Sequence, residues 1–128
     1  MSAQVLENTE LNGGVAVDAL VGEVGHWDGV EVVTEPRFGG PAFQLGRRQL
    51  GHLHDAGARG AFADIPLPRT LRDELIETGR ARPHSAMPDS GWLTVPVRTA
   101  ADLTRAVEVF RIAYERARKK RAPARSAD

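Results

Sequence analysis

Apolar positions change their period along this chain, and each change marks an element. Val17, Leu20, Val21 and Val24 stand at i, i+3, i+4 and i+7, the spacing of one helical stripe. Gly22 and Gly25 weaken that helix, and Gly25 is placed to end it. From Val30 the pattern shortens. Val30-Glu31-Val32-Val33-Thr34 is rich in β-branched residues and predicts a strand. Residues 42–45, 48–54 and 61–65 predict three more. The turns between them, Pro36-Arg37-Phe38-Gly39-Gly40-Pro41 among them, are rich in Gly and Pro, which predicts an antiparallel meander.

Helical spacing then returns. Leu71, Leu75 and Ile76 give a second helix its buried side. Thr70, with Asp73 three residues on, resembles a capping box with Asp in place of Glu. Gly79 suits the position just past that helix. Residues 91–97 predict a fifth strand, with Leu93, Val95 and Val97 toward the core and Trp92 and Thr94 on the other face. Pro96 has no N–H for a ladder, so this strand is an edge or ends there. Thr99 and Asp102 repeat the start signal, and Leu103, Ala106, Val107, Phe110, Tyr114 and Ala117 line one side of a long helix. The order α-β-β-β-β-α-β-α predicts an α+β two-layer sandwich: one mainly antiparallel five-stranded sheet with helices on one face. The domain is expected over residues 14–117, between a flexible arm at 1–13 and a disordered basic tail at 118–128.

Composition narrows the class. A chain of 128 residues, 41% hydrophobic, suits one domain with one core. Lys+Arg and Asp+Glu both number 17, and this balance argues against a whole-domain nucleic-acid binder. The absence of Cys removes disulfides, thiolate nucleophiles and iron–sulfur clusters, and suits a reducing cytoplasm. The first ten residues are polar and acidic, unlike a secretory signal. No apolar run approaches the about 20 residues of a membrane helix. A soluble, cytoplasmic domain is the expectation.

The candidate chemistry centres on His52-Leu53-His54. Alternate strand residues point the same way, so both imidazoles should share one face. Which face is open is ambiguous, because Leu50 shares their parity and Leu53 does not. Neutral imidazole is both a common metal ligand and a general base near pH 7. Two histidines do not complete a zinc shell, and His84 or Asp64 could add to it only if the fold brings them close. Asp64 could orient an imidazole; it could equally cap the turn before Pro66, the slightly simpler reading. His84, isolated in a connector, usually would have no special role. Ser85, Asp89 and Ser90 lie near it, but no Gly-x-Ser-x-Gly elbow is present, nor any flavin or nucleotide motif. The basic run Arg118-Lys119-Lys120-Arg121 could touch nucleic acid, yet it sits where positive charge favours a helix C-terminus.

Arg48-Gln49-Leu50-Gly51-His52-Leu53-His54 resembles the Arg-Glu-hydrophobic-x-His-x-His segment of the small luciferase domain family. The resemblance continues through the helix around Leu71–Gly79, through Ala81-Arg82-Pro83-His84, and into the long helix at Ala113-Tyr114. It covers residues 42 to 117. It implies an uncharacterised domain, and implies neither light emission nor a flavin. Gln49 departs from the family's Glu and would replace an acid or metal ligand poorly. The element order is also similar, more faintly, to YjbR-like and secretion-chaperone-like two-layer folds.

The functional readings are ranked. The first is a small-ligand or protein-partner-binding module, using the open sheet face with His52, His54, His84 and Trp92 near the pocket and Arg48 and Gln49 beside it. The second is an enzyme in which His52 or His54 is the base, Asp64 orients it and His84 polarises the substrate, with a divalent metal held by His52, His54 and His84 as one version. The third is a nucleic-acid-associated protein relying on the tail. Cofactor identity and oligomeric state are left open.

Overall fold

In a computed structural model, residues 6–126 are described. The elements are α1 (Gly13–Val24), β1 (Val30–Thr34), β2 (Pro41–Leu45), β3 (Arg48–Asp55), β4 (Ala61–Pro66), α2 (Arg69–Glu77), β5 (Arg82–Pro83), β6 (Trp92–Val97) and α3 (Ala100–Ser126). The sheet has six strands in the order β1-β2-β3-β4-β6-β5, and every neighbouring pair is antiparallel. The fold is thus the expected α+β layering, with one strand more than the sequence suggests. That strand, β5, is a two-residue stretch in the connector, too short to leave a periodicity. It pairs with Leu93 and Thr94 of β6, so Pro96 lies beyond it, where β6 has no neighbour on that side among the described residues.

The helices cover one face. Ala16, Leu20 and Val24 of α1 are fully buried, while Val17 and Val21 are only partly so. The buried stripe is therefore turned slightly from the expected one, with small Gly13 and Ala16 on its inner side. Asn12 caps α1 by accepting the Val15 N–H at 2.9 Å. From α3, Ala106, Val109, Phe110, Ala113, Tyr114 and Ala117 enter the core. Phe110 meets Phe43 edge-on at 5.1 Å, and the buried Tyr114 hydroxyl donates to the Asp28 carbonyl at 2.6 Å.

The two Thr-x-x-Asp signals have different outcomes. At α3 the box forms: Thr99 Oγ1 accepts from Asp102 N–H at 3.2 Å, and Asp102 Oδ2 accepts from Thr99 N–H at 3.1 Å. At α2 it does not. The helix begins two residues earlier, the ladder opens with Arg72 N–H to the Pro68 carbonyl at 2.9 Å, and Pro68 holds the cap position without a side-chain bond. Thr70 is already helical and cannot turn back to cap. The end of α2 follows expectation: Gly79, at φ 79°, and Arg80 donate to Ile76 and Leu75 carbonyls in a Schellman arrangement.

Of the arm expected at 1–13, residues 1–5 lie outside the described residues; Glu10 bridges to Thr99 and Leu11 N–H donates to Arg98 O at 2.9 Å. The tail expected from residue 118 is helical instead, since α3 continues to Ser126, and 127–128 lie outside the described residues. Arg118, Lys119 and Lys120 are good helix formers, and Arg118 lies 3.7 Å from Glu115 one turn back. Among the described residues no helix is long and apolar enough to cross a membrane.

One irregularity sets the functional face. Phe43 pairs with Gly51 and Gln44 with Gln49, so Leu50 has no partner on β2: β3 carries a bulge. The extra residue lets Leu50 and Leu53 both point into the core, where each is at most 2% exposed. Gly51 is what allows it. Its φ is 152°, and a Cβ there would lie 2.6 Å from the Asp64 carbonyl oxygen and 2.6 Å from the Phe110 ring. Gly51→Ala should therefore lower the unfolding free energy by about 2–3 kcal/mol. Urea denaturation measures it, and an unchanged midpoint would count against the tight approach of β3 to β4 and α3.

Candidate functional site

With the bulge in place, His52 and His54 emerge on the face away from the helices. One cross-strand row reads Ala42, His52, Asp64, Thr94, Arg82 from β2 to β5. Directly opposite residues share a face, so this row brings an imidazole, a carboxylate, a hydroxyl and a guanidinium together. His54 stands in the next row, opposite Phe62.

Asp64 is the centre of the group and is only 5% exposed. Its Oδ1 accepts from Thr94 Oγ1 at 2.6 Å. Its Oδ2 faces three imidazoles: His54 Nε2 at 2.9 Å, His52 Nε2 at 3.3 Å and His84 Nε2 at 3.4 Å. Burial pushes the carboxyl up, but contacts with His52 and Thr94 and the nearby His84 and His54 outweigh it, leaving the pKa below the ordinary Asp value. The simpler reading of Asp64 as a turn cap is corrected: both oxygens are engaged across the sheet, not along their own turn.

Behind His52 runs a second line of contacts. Its Nδ1 lies 2.8 Å from Gln49 Oε1, and Gln49 Nε2 donates to Glu35 Oε2 at 3.4 Å. Arg37 Nε donates to Glu35 Oε1 at 3.2 Å and holds that carboxyl below its ordinary range. The Gln49 amide must turn its nitrogen toward a carboxylate, so its oxygen faces His52. Neutral His52 then carries its proton on Nδ1 and turns the Nε2 lone pair toward Asp64. His84 is the opposite tautomer. Its Nδ1 accepts the N–H groups of Ala86 at 3.1 Å and Met87 at 3.2 Å, so neutral His84 keeps its proton on Nε2. That nitrogen is then a donor, which does not suit the metal-ligand role expected for His84.

The connector reaches the sheet because α2 holds it. Arg72 is 8% exposed; it donates to the carbonyls of Pro88 and Trp92, and bonds Asp73 Oδ1 at 2.6 Å. Arg69 donates to the Asp89 carbonyl. Ser90 Oγ donates to Met87 O at 2.7 Å and so braces the loop. Above the histidines is a cavity of about 830 Å³. His52, His54 and Asp64 line it together with Phe38, Trp92 and Met87, and Arg37, Arg82, His84 and Ser85 also border it. The Phe38 ring lies 4.9 Å from His52 and 4.3 Å from His54, and Trp92 lies 5.1 Å from His52.

The structure thus brings together His52, His54, Asp64, His84 and Trp92, with Gln49 beneath His52. Arg48 is not among them. It is exposed, pairs with Leu45 and lies outside the cavity. The bulge reverses side-chain parity, so Gln49 instead shares the histidine side. Sequence reasoning missed Thr94, Glu35, Phe38 and Arg72. Strand pairing could have found Thr94, and an aromatic inside a Gly/Pro turn was a signal for Phe38. Nothing in the local sequence marks Arg72 or Glu35.

The luciferase domain family matches residues 47–113, just over half of the chain. The chain belongs to the luciferase domain family. The matched segment holds Gln49, His52, His54, Asp64, Arg72, His84, Trp92 and Thr94, and leaves Glu35 and Phe38 before it. No curated protein and no solved structure matches the chain, so the fainter likeness to YjbR-like folds gains no support.

Two substitutions test how this luciferase domain builds its site. Thr94→Val keeps the shape but leaves Asp64 Oδ1 without its donor, and should cost about 1–3 kcal/mol of stability by urea denaturation. A neutral result would mean that Oδ1 has another partner. Arg72→Met should speed amide hydrogen exchange at Ala86 and Met87, whose N–H groups bond His84; unchanged protection would show that the connector does not rely on α2.

Proposed function

We propose that this domain is a small-ligand-binding module whose ligand enters the cavity on the open sheet face. The observation that carries this reading is the convergence of three imidazole nitrogens within 3.4 Å of one buried carboxylate oxygen at the wall of that cavity. A concave site with apolar walls and a few convergent polar groups is the usual form of a small-molecule site. Phe38, Trp92 and Met87 would cover the body of the ligand. His52, His54, Asp64 and His84 would fix one polar group, and the guanidinium of Arg82 favours a ligand bearing negative charge. The unit carrying the activity is residues 14–117, and a cytoplasmic setting suits a chain without Cys.

The paired tautomers favour a second reading, an enzyme. Neutral His52 offers an Nε2 lone pair and neutral His84 an Nε2 proton, both beside Asp64 Oδ2, the pair of roles that general base and general acid require. Nothing comparable supports nucleic-acid binding: the formal charge is balanced.

The test is a screen of small carboxylic acids, aromatic and aliphatic, against tag-free, chelator-treated protein by proton–nitrogen NMR. Binders should move the Trp92 indole N–H and the amides of Ala86 and Met87, and Trp92→Ala should abolish their binding. Hits that leave the Trp92 indole unmoved, or no hits at all, would sink the proposal.

A further inference from the structure

His52 and Asp64 face each other across a gap that needs a positive charge, either a second proton on His52 or a bound cation. Gln49 Oε1 accepts a hydrogen bond from His52 Nδ1–H, so neutral His52 directs an Nε2 lone pair at Asp64 Oδ2 from 3.3 Å. Two acceptors at that distance repel unless a proton or a metal cation lies between them. His54 Nε2 approaches the same oxygen at 2.9 Å, and the three ligand atoms all lie within 4.8 Å of one another.

The geometry points to a mononuclear centre in which His52 Nε2, His54 Nε2 and Asp64 Oδ2 bind one divalent first-row transition-metal ion. It rests on the reading of this cavity as the functional site. Metal–ligand bonds of about 2.0–2.2 Å require neighbouring donor atoms to stand about 2.8–3.6 Å apart, from octahedral to tetrahedral angles. The two edges through Asp64 Oδ2, at 2.9 and 3.3 Å, match this without rearrangement. Two imidazoles and one carboxylate on one side leave the remaining coordination positions toward the cavity, the arrangement suited to Zn(II) or Fe(II).

The surroundings fit the same assignment. A ligating histidine ordinarily donates its other ring N–H to an acceptor that fixes its tautomer. Gln49 Oε1 is that acceptor for His52, and Glu35 fixes Gln49 in turn. Thr94 occupies Asp64 Oδ1, leaving Oδ2 for the metal. Gln49 is thus a positioning residue, and its amide supplies what a carboxylate could do from the same place. His84 stays outside the ligand set, because its Nδ1 already accepts two backbone N–H groups. Its Nε2, 3.4 Å from Oδ2, keeps a proton to donate to an oxygen bound at an open position.

The experiment is calorimetric titration of tag-free, chelator-stripped full-length protein with Zn(II), paired with the visible absorption of the Co(II) form. One ion per chain is expected. His54→Ala, at a partly exposed position that should tolerate it, should abolish the tight phase. Gln49→Leu should weaken Zn(II) affinity by about 10–100-fold while retaining one site. His84→Ala should leave affinity and stoichiometry in place. NMR of the bound form should show His52 with its proton on Nδ1. Affinity that survives in His54→Ala, or that is lost in His84→Ala, would overturn the assignment. So would a His52 Nε2 that stays protonated in the presence of Zn(II), which would make His52 and Asp64 an ion pair. The carboxylic-acid screen is read in metal-free protein, so it can succeed where this titration fails.

Discussion

A carboxylate taken out of water must be compensated, and Asp64 imposes that requirement on the whole open face. Leaving a charge of this kind unpaired in a dry site costs several kcal/mol. Asp64 is compensated by groups from separate parts of the chain: His52 and His54 from β3, Thr94 from β6, and His84 from the segment after β5. Each must arrive in register. A one-residue slip of any central strand would send its member of the group into the helix-covered core and expose an apolar residue in exchange.

The register depends in turn on the bulge at Leu50. A regular strand would have set Leu50 on the same side as both histidines. The extra residue sends Leu50 and Leu53 inward together and keeps the imidazoles outward. It also brings Gln49 under His52 and turns Arg48 away. From Gln49 the contacts reach Glu35 and Arg37 in the β1–β2 turn, and the same turn lays Phe38 over the histidine pair. Packing on the helix side and polar order on the open side thus meet at Gly51, where a side chain would strike both the β4 backbone and Phe110.

Much of this was legible before any coordinates. The long-helix pattern, the meander, the Thr99–Asp102 box and the core parity of Leu93, Val95 and Val97 are local properties, and each appears in the structure. The His-x-His pair, Asp64 and His84 could be named as residues able to do chemistry. Their meeting could not. His84 is twenty residues beyond Asp64 in a connector without periodicity, and its approach is set by Arg72, whose role is invisible until α2 and the loop are packed together. The failed cap at Thr70 shows the limit from the other side: the same motif that starts α3 is overridden when Pro68 starts α2 two residues earlier.

The chain by itself determined the element types, the class of fold and the inventory of titratable groups, because helix and strand periods are written in consecutive side chains and need no distant partner. Tertiary structure alone decided which face of β3 was open, which neighbour of the histidines joined them, and which ring nitrogen bears the proton in neutral His52 and neutral His84. Those outcomes depend on contacts between residues far apart in sequence. In such contacts a single unpaired residue or a single amide orientation reverses the result.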